Sequence, residues 1–342
     1  CRTGTIFGGG GRIYVMHRNL FKNSYEDIIS IDNLLEAWQE FIVGKRSRKD
    51  VQLFELSLME NLITLHESLE SMKYRHDSYT AFVISDPKTR QIHKASVADR
   101  VLHRAIYRKL YSFFDSMFIF DSYSCRIGKG THKALDRFTV FSRKVTRNHS
   151  KTGWVLKCDI KKFFASVDQE ILLQIMDPYI VDGRIIWLLK EILGSFPNHG
   201  SLHSGLPLGN LTSQLFSNVY MNIFDQFVKR VLRIKYYIRY ADDFALFSHN
   251  RRDLEQILPL LDNFLYRELY LHLHPGKTEL RTLASGIDFL GWVHFPHYRV
   301  LRTVTKRRMF KKVGDDNIDS YLSLLKHGNG FELSNLVKNK KL

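Results

Sequence analysis

Cysteine is scarce in this sequence. Cys1, Cys125 and Cys158 are too few and too scattered over 342 residues for a disulfide framework or a zinc knuckle, and they point to a reducing, cytoplasmic compartment. Long apolar runs are absent too. No stretch of about 18 such residues is available to span a bilayer, so no membrane partner is expected. The opening stretch, Cys1 to Gly11, is glycine-rich and lacks the charged-then-apolar pattern of a secretory leader. There is no internal repeat and no low-complexity tract. Acidic residues are in deficit: 35 Asp and Glu face 51 Lys and Arg, a formal net charge of +16. A surplus of that size favours a polyanionic partner, with nucleic acid the first candidate. Hydrophobic residues, by contrast, make up 44% of the chain, enough for a sizeable core and for more than one compact unit.

Patterning along the chain mixes two periods. Asp32 to Phe41 carries Leu34, Leu35, Trp38 and Phe41 at helical spacing, and Val51 to Leu69 behaves likewise. The basic stretch between them, Gly44 to Lys49, reads as a solvated turn. Ala81 to Ile84 reads as a strand, Asp86-Pro87 as a turn and Lys88 to Ile92 as the return. Ser96 with Asp99 fits a capping box for a helix running through Leu110. Gly128-Lys129-Gly130 is a loop with freedom to approach something closely. Trp154 to Cys158 reads as a strand ending at Asp159, and Asp168 can cap a following helix. Leu211, Leu215, Val219, Ile223 and Phe227 recur every fourth residue and predict a long packed helix. A helix near Asp253 to Leu269, a turn at Pro275-Gly276 and an apolar stretch from Ile287 to Phe295 follow. Strands and helices mix without strict βαβ alternation, which predicts an α+β architecture. The tail from Arg299 to Lys312 holds seven basic residues and no acidic one, and reads as a separate basic helical module.

The chemistry concentrates in three acids. Tyr236 to Tyr240 and Phe244 to Phe247 flank Ala241-Asp242-Asp243, a hairpin with carboxylates at its tip. Adjacent carboxylates beside apolar strands repel one another and are costly to desolvate unless a cation compensates. The pair alone is equally a solvated turn, since Asp suits tight turns. Asp159 adds a strand-terminal carboxylate able to converge with that tip. Two Mg²⁺ ions about 4 Å apart, held by so sparse a set of acids plus substrate phosphates, would support phosphoryl transfer.

Those residues carry a family resemblance. Tyr240-Ala241-Asp242-Asp243 resembles the Tyr-x-Asp-Asp box of reverse transcriptases, and Trp154 to Phe164 resembles their first catalytic motif, with Asp159 in the metal-ligand place. The similarity runs in the family's order from about Tyr79 to Leu333. It implies a right-hand polymerase fold of fingers, palm and thumb, with an antiparallel palm sheet packed on helices. Residues 1–15 then form an extension or fragment, 16–150 N-terminal helices and fingers, 151–298 the palm with some fingers elements, and 299–342 a basic helical thumb. The reverse transcriptase domain itself spans about 79–298.

The resemblance implies roles residue by residue. Asp159, Asp242 and Asp243 hold two Mg²⁺, with Mn²⁺ a substitute, and the Ile160 carbonyl completes one site. Lys88 and Arg90 hold the incoming triphosphate, and Arg offers bidentate phosphate binding. Phe164 is the steric gate against a ribose 2′-hydroxyl, although by itself it reads equally as a core aromatic. Gly209, Ser213 and Gln214 support the nucleotide and templating base. Lys277 protonates the pyrophosphate leaving group, a sensible general acid. Arg126, Lys129 and Thr131 lie near the template, and Phe289-Leu290-Gly291-Trp292 resembles the primer grip. Lys306, Arg307 and Arg308 track duplex phosphates. The partners implied are template RNA, a DNA or RNA primer and dNTPs.

Departures from the family pattern narrow the subgroup. Leu208 stands where many retroviral and intron enzymes have Gln, and the box ends in Ser213-Gln214 rather than Ser-Pro. That is similar to the reverse transcriptases of diversity-generating retroelements, which miscopy template adenines and use a small basic accessory protein. An apolar Leu208 removes one side-chain hydrogen bond near the nucleotide, and lower discrimination at the templating base is the expected consequence. Two other readings stand beside this one: a phage-defence or retron-type polymerase with the same fold, and a non-catalytic nucleic-acid-binding protein, for which the three acids would be a liability.

Overall fold

The structure, a computed structural model, describes residues 5–8, 11–14, 19–85, 89–196 and 204–339. The elements used below are helices α1 (Ile31–Ile42), α2 (Val97–Asp115), α3 (Thr131–Val145), α4 (Leu211–Gln226), α5 (Arg251–Leu269), α6 (Thr303–Lys312), α7 (Ile318–Leu325) and α8 (Phe331–Asn339). The strands are β1 (Thr80–Ile84), β2 (Arg90–Lys94), β3 (Trp154–Asp159), β4 (Tyr237–Tyr240), β5 (Asp243–Ser248), β6 (Glu279–Thr282), β7 (Ile287–Phe289), β8 (Trp292–His294) and β9 (Arg299–Leu301). In the prefix, Thr5–Gly8 and Gly11–Tyr14 pair as an antiparallel hairpin. The chain folds as two compact units that interleave in sequence. The first comprises Cys1–Ile119, Lys161–Gln226 and Phe264–His272, and the second Phe120–Ile160, Phe227–Asn263 and Leu273–Leu342.

In the first unit α2 is the spine, packed by α1 on one side and α4 on another. The Ser96 hydroxyl caps α2 by accepting from the Asp99 amide at 3.2 Å. The capping box expected there is only half built. The Asp99 carboxylate accepts from the Ser96 hydroxyl at 2.7 Å, not the Ser96 amide, and also from the Tyr74 hydroxyl at 2.6 Å and the Asp77 amide at 3.2 Å, because a buried acid needs every donor it can reach. Helix α4 departs from its expected stripe as well. It is buried nearly all round, through Thr212, Ser213, Ser217 and Asn218 as well as Leu215, Phe216 and Val219. Small polar side chains let neighbours close on every face, and the four-residue recurrence captured only one of them. The helix gives way at Phe227 to a π-helical turn, Phe227–Val231. The β1–β2 hairpin is exposed, with Phe82, Val83 and Ile84 open to solvent.

The second unit is built on an antiparallel sheet of order β4-β5-β3-β6. Strands β4 and β5 are largely apolar and covered on both faces. Val155, Leu156 and Cys158 of β3 and Phe244 to Phe247 of β5 are buried, whereas Lys157 and Asp159 stay partly open at the same edge of the pleat. Helix α3 packs on β4 and β5. Its Phe138 lies with ring centroids 4.7 Å from Phe247 and 5.1 Å from Phe289, and burying one such ring is worth roughly 2–3 kcal/mol. The basic tail is not a separate module. Residues 299–301 form β9 and extend the small β7-β8-β9 sheet, and Met309, Leu325 and Val337 of α6, α7 and α8 are buried in the same core as Phe138, Phe289 and Trp292. A stretch read for its charge hides the few apolar residues that anchor it.

Candidate active site

The acids sit on a tight turn that the sequence around them constrains. Strand β4 ends at Tyr240, Ala241 takes a positive φ of 55°, and Asp243 begins β5. A residue with a Cβ pays for that left-handed conformation, so something must hold it. Arg239 does. It is fully buried, its Nη1 donates to the Ala241 carbonyl at 3.1 Å, and its Nη2 donates to the Ser122 hydroxyl at 3.1 Å. Its backbone is pinned as well: the amide donates to Asp121 O at 2.9 Å and the carbonyl accepts from the Tyr123 amide at 3.0 Å. The Asp121 carboxylate in turn accepts from Arg137 Nε at 2.7 Å. Thr131 Oγ1 lies 3.0 Å from the Tyr240 hydroxyl, which ties the start of α3 to the same turn. From the other strand, the Ile160 amide donates to Asp242 O at 3.3 Å.

This framework brings three carboxylates and two ammonium groups to one end of the sheet. Asp159 and Asp243 are directly opposite each other in the β3–β5 register, with Asp242 next in the chain. Lys277 Nζ donates to Asp159 Oδ1 at 2.7 Å. Lys157, two residues before Asp159 and so on the same face, has Nζ 3.3 Å from Asp243 Oδ1. That contact is an ion pair without hydrogen-bond alignment, which leaves the buried Asp243 Oδ1 without a hydrogen-bond partner. Burial pushes the Asp243 carboxyl up to about 7; the Lys157 ammonium opposes the shift, and the Asp159 and Asp242 charges add to it.

Among the described residues no group of three His, Cys, Asp or Glu side chains is already arranged around an ion. The donor chemistry nevertheless fits a hard divalent cation. Asp159 and Asp243 lie opposite each other on adjacent strands, the buried Asp243 Oδ1 lacks a hydrogen-bond donor, and Mg²⁺ needs only a few protein carboxylates when substrate phosphates complete its shell.

The displaced titration of Asp243 has a consequence for stability. Unfolded, the group ionises near pH 4; folded, it keeps its proton to about pH 7. Across that window the folded chain binds the extra proton, so this group's contribution falls as pH rises, by at most about 1.4 kcal/mol per pH unit. Thermal melts without divalent cations should show wild type losing more stability between pH 5 and pH 8 than Asp243→Asn does. Identical pH dependence of the two proteins would contradict the assignment.

The remaining site residues divide between the units. In the first, Arg90 opens β2 and is exposed, whereas Lys88 lies outside the described residues. Gly209 has φ of 113°, and a Cβ there would lie 2.9 Å from Ile92 Cγ2 of β2, so only glycine fits the close approach. The His93 amide donates to Leu208 O at 3.0 Å and fixes β2 beside this turn. Ser213 is buried on α4 and Gln214 is partly exposed. Phe164 is half-buried, and its carbonyl accepts from the Leu206 amide at 2.7 Å, which couples Phe164 to the start of the same loop.

In the second unit, Arg126 and Lys129 are drawn into their own loop. Arg126 Nη1 donates to Ser122 O at 3.0 Å, and Lys129 Nζ sits 3.4 Å from the Phe120 ring centroid. Of the four residues expected to form a primer grip, Phe289 and Trp292 are core side chains. Only the turn between them, Leu290 (φ 52°) and Gly291 (φ 86°), is presented. Lys306 and Arg307 of α6 are exposed and Arg308 is partly buried. Two residues that shape the site were missed from sequence: Lys157 and Arg239. Both carried a signal, a charge inside an otherwise apolar strand within two residues of a key position.

A sheet whose end gathers strand-paired carboxylates behind such a turn belongs to a known class. The family described as reverse transcriptase (RNA-dependent DNA polymerase) matches residues 85–294, more than half of the chain, and the chain belongs to that family. It is similar to protein YkfC of Escherichia coli K12, 26% identical over 243 residues, covering 60% of this chain and 63% of that protein. It is also similar to the group II intron-encoded protein LtrA of Lactococcus lactis subsp. cremoris, 26% identical over 290 residues, 66% of this chain and 47% of that protein. The chain thus spans between about half and under two thirds of the length of these relatives. Among solved structures, telomerase from Candida albicans in complex with a fragment of telomeric RNA aligns with a TM-score of 0.49 at 12% identity, over 76% of this chain and 54% of that one.

Proposed function

We propose that the chain is an RNA-directed DNA polymerase that adds dNTPs to a primer 3′ end. The observation that carries this reading is the strand-paired Asp159 and Asp243 with Asp242 at the turn, inside a reverse transcriptase family domain. Asp159 and Asp242 would be the principal ligands of two Mg²⁺ ions, with Asp243 beside them and the Ile160 carbonyl completing one site. When bound, such ions activate the primer hydroxyl and neutralise charge on the leaving oxygens. Lys277, whose Nζ donates to Asp159 Oδ1 at 2.7 Å, would supply a proton to the departing pyrophosphate. Arg90 clamps the triphosphate, Phe164 excludes the 2′-hydroxyl, and Lys306 with Arg307 follows duplex phosphates from a thumb-like tail. Fingers, palm and thumb are the roles we assign to the hairpin β1–β2, the sheet β4-β5-β3-β6 and the helices α6 to α8. Leu208, whose side chain has no hydrogen bond to offer, favours an error-prone enzyme of a diversity-generating retroelement working with a small basic accessory protein.

The test is primer extension on an RNA template with Mg²⁺ and each dNTP in turn, for wild type and Asp242→Ala/Asp243→Ala. Extension by wild type alone is the expected result, with errors concentrated at template adenines. A folded wild type that extends nothing, with or without a candidate accessory protein, would overturn the polymerase reading.

A further inference from the structure

The strands that carry the carboxylates have a second end. Trp154 opens β3 and Ser248 closes β5, roughly 17 Å of strand away from Asp159 and Asp243. At that end the second unit contains a cavity of about 640 Å³. Its floor is apolar, formed by buried Val145, Phe247 and Leu254 with half-buried Tyr236 beside them. Its rim is cationic: Lys144, Arg147, Lys151, Arg233 and Lys235 line it, and all are exposed. These cations come from the end of α3, from the loop after it and from the turn before β4. Asp253 is the acidic residue of the lining, and its oxygens are taken by the Ser248 hydroxyl at 3.0 Å and Asn250 Nδ2 at 2.7 Å. Among the described residues none of the rim cations pairs with a carboxylate.

Two rim residues also sit on unfavourable backbone. Arg147 and Arg233 have φ of 50° and 55°, and Asn148 and His149 continue the first of these runs at 55° and 67°. Left-handed conformations at residues with a Cβ persist where the surroundings fix them, and they cluster at binding sites. Five cations set against the one carboxylate of Asp253 raise the local potential and attract anions. An apolar floor with an aromatic ring under a cationic rim is the combination that takes a base and its phosphates together. The volume suits one or two nucleotides and not a duplex.

We propose that this cavity binds single-stranded nucleic acid, with phosphates on the Lys144, Lys151 and Lys235 rim and a base against Tyr236. The site is separate from the carboxylates and does not depend on the polymerase reading. The test is photo-crosslinking of a single-stranded RNA carrying 4-thiouridine to the full chain, mapped by mass spectrometry, together with the salt dependence of binding. Wild type should crosslink at or next to Tyr236. Lys144→Glu/Lys151→Glu/Lys235→Glu should lose that crosslink, keep its melting midpoint, and lower the slope of log K against log salt by about 2, near 0.7 per phosphate contact. Extension of a short pre-annealed primer–template should be the same in both proteins, which separates failure of this site from failure of the active site. No crosslink at the cavity in wild type, or an unchanged slope in the variant, would overturn the proposal. Competition for the cavity by a polyglutamate peptide, with RNA leaving it unlabelled, would overturn it in favour of an acidic protein partner.

Discussion

Asp159→Asn should lower nucleotide addition by at least about 10³-fold, roughly 4 kcal/mol of barrier, while the protein remains folded. The substitution keeps shape and removes charge. Its structural cost is small for identifiable reasons. The Lys277–Asp159 pair is lost, but with side chains 40% and 16% exposed such a pair is worth no more than about 1 kcal/mol. The hydrogen bond from the His274 amide goes to the Asp159 backbone carbonyl at 2.7 Å and survives. Across the sheet, Asp243 loses a like-charged neighbour, which relieves part of the cost of its burial. Activity has no such compensation, because a neutral amide cannot supply the negative charge that holds a divalent cation. Steady-state primer extension with a thermal melt of the same preparation reads both quantities. A variant within tenfold of wild-type kcat would remove Asp159 from the ligand set.

What the sequence made legible follows from the range of the signals. Short apolar runs are a local signal, so β3, β4, β5 and the acid-tipped hairpin could be read directly from Trp154 to Asp159 and Tyr236 to Phe247. The mixed α+β class followed from the same local patterns. Burial depends on what lies across space, and there the reading fell short. Phe289 and Trp292 belong to a motif whose aromatic letters do not distinguish a core ring from a primer contact, and both turn out to be core. The tail from Arg299 looked autonomous because seven charges outnumber the few side chains, Met309 among them, that anchor it. The interleaving of the two units, with the chain passing between them at Ile160 and Lys161 within one catalytic motif, has no signature in consecutive blocks of composition. Lys157 and Arg239 were visible only as oddities, charges in apolar strands, until the partners of each were known.

Arg239→Met should reduce kcat for primer extension by about 10²-fold with little change in KM for dNTP, a larger loss than its effect on folding would suggest. Burying a guanidinium is costly, and a methionine keeps the apolar stem in place, so the net loss of stability is expected to be about 1–3 kcal/mol, mostly from leaving the Ser122 hydroxyl and the Ala241 carbonyl short of a donor. The functional loss has a different origin. With Nη1 gone, the Ala241 carbonyl loses the hydrogen bond that holds it, and a residue with a Cβ relaxes away from φ of 55°. Asp242 and Asp243 follow directly in the chain, and a displacement of about 1 Å at reacting groups costs on the order of 10²-fold. Arg239 is therefore a positioning residue, and its loss can be compensated at Ala241. Glycine adopts positive φ without a clamp, so Ala241→Gly alone should be nearly neutral, and Arg239→Met/Ala241→Gly should recover much of the lost kcat without recovering the lost stability. Recovery of rate and melting midpoint together would make Arg239 a packing residue; failure to recover either would mean that its charge acts on the acids directly, through the field at the turn instead of through its geometry.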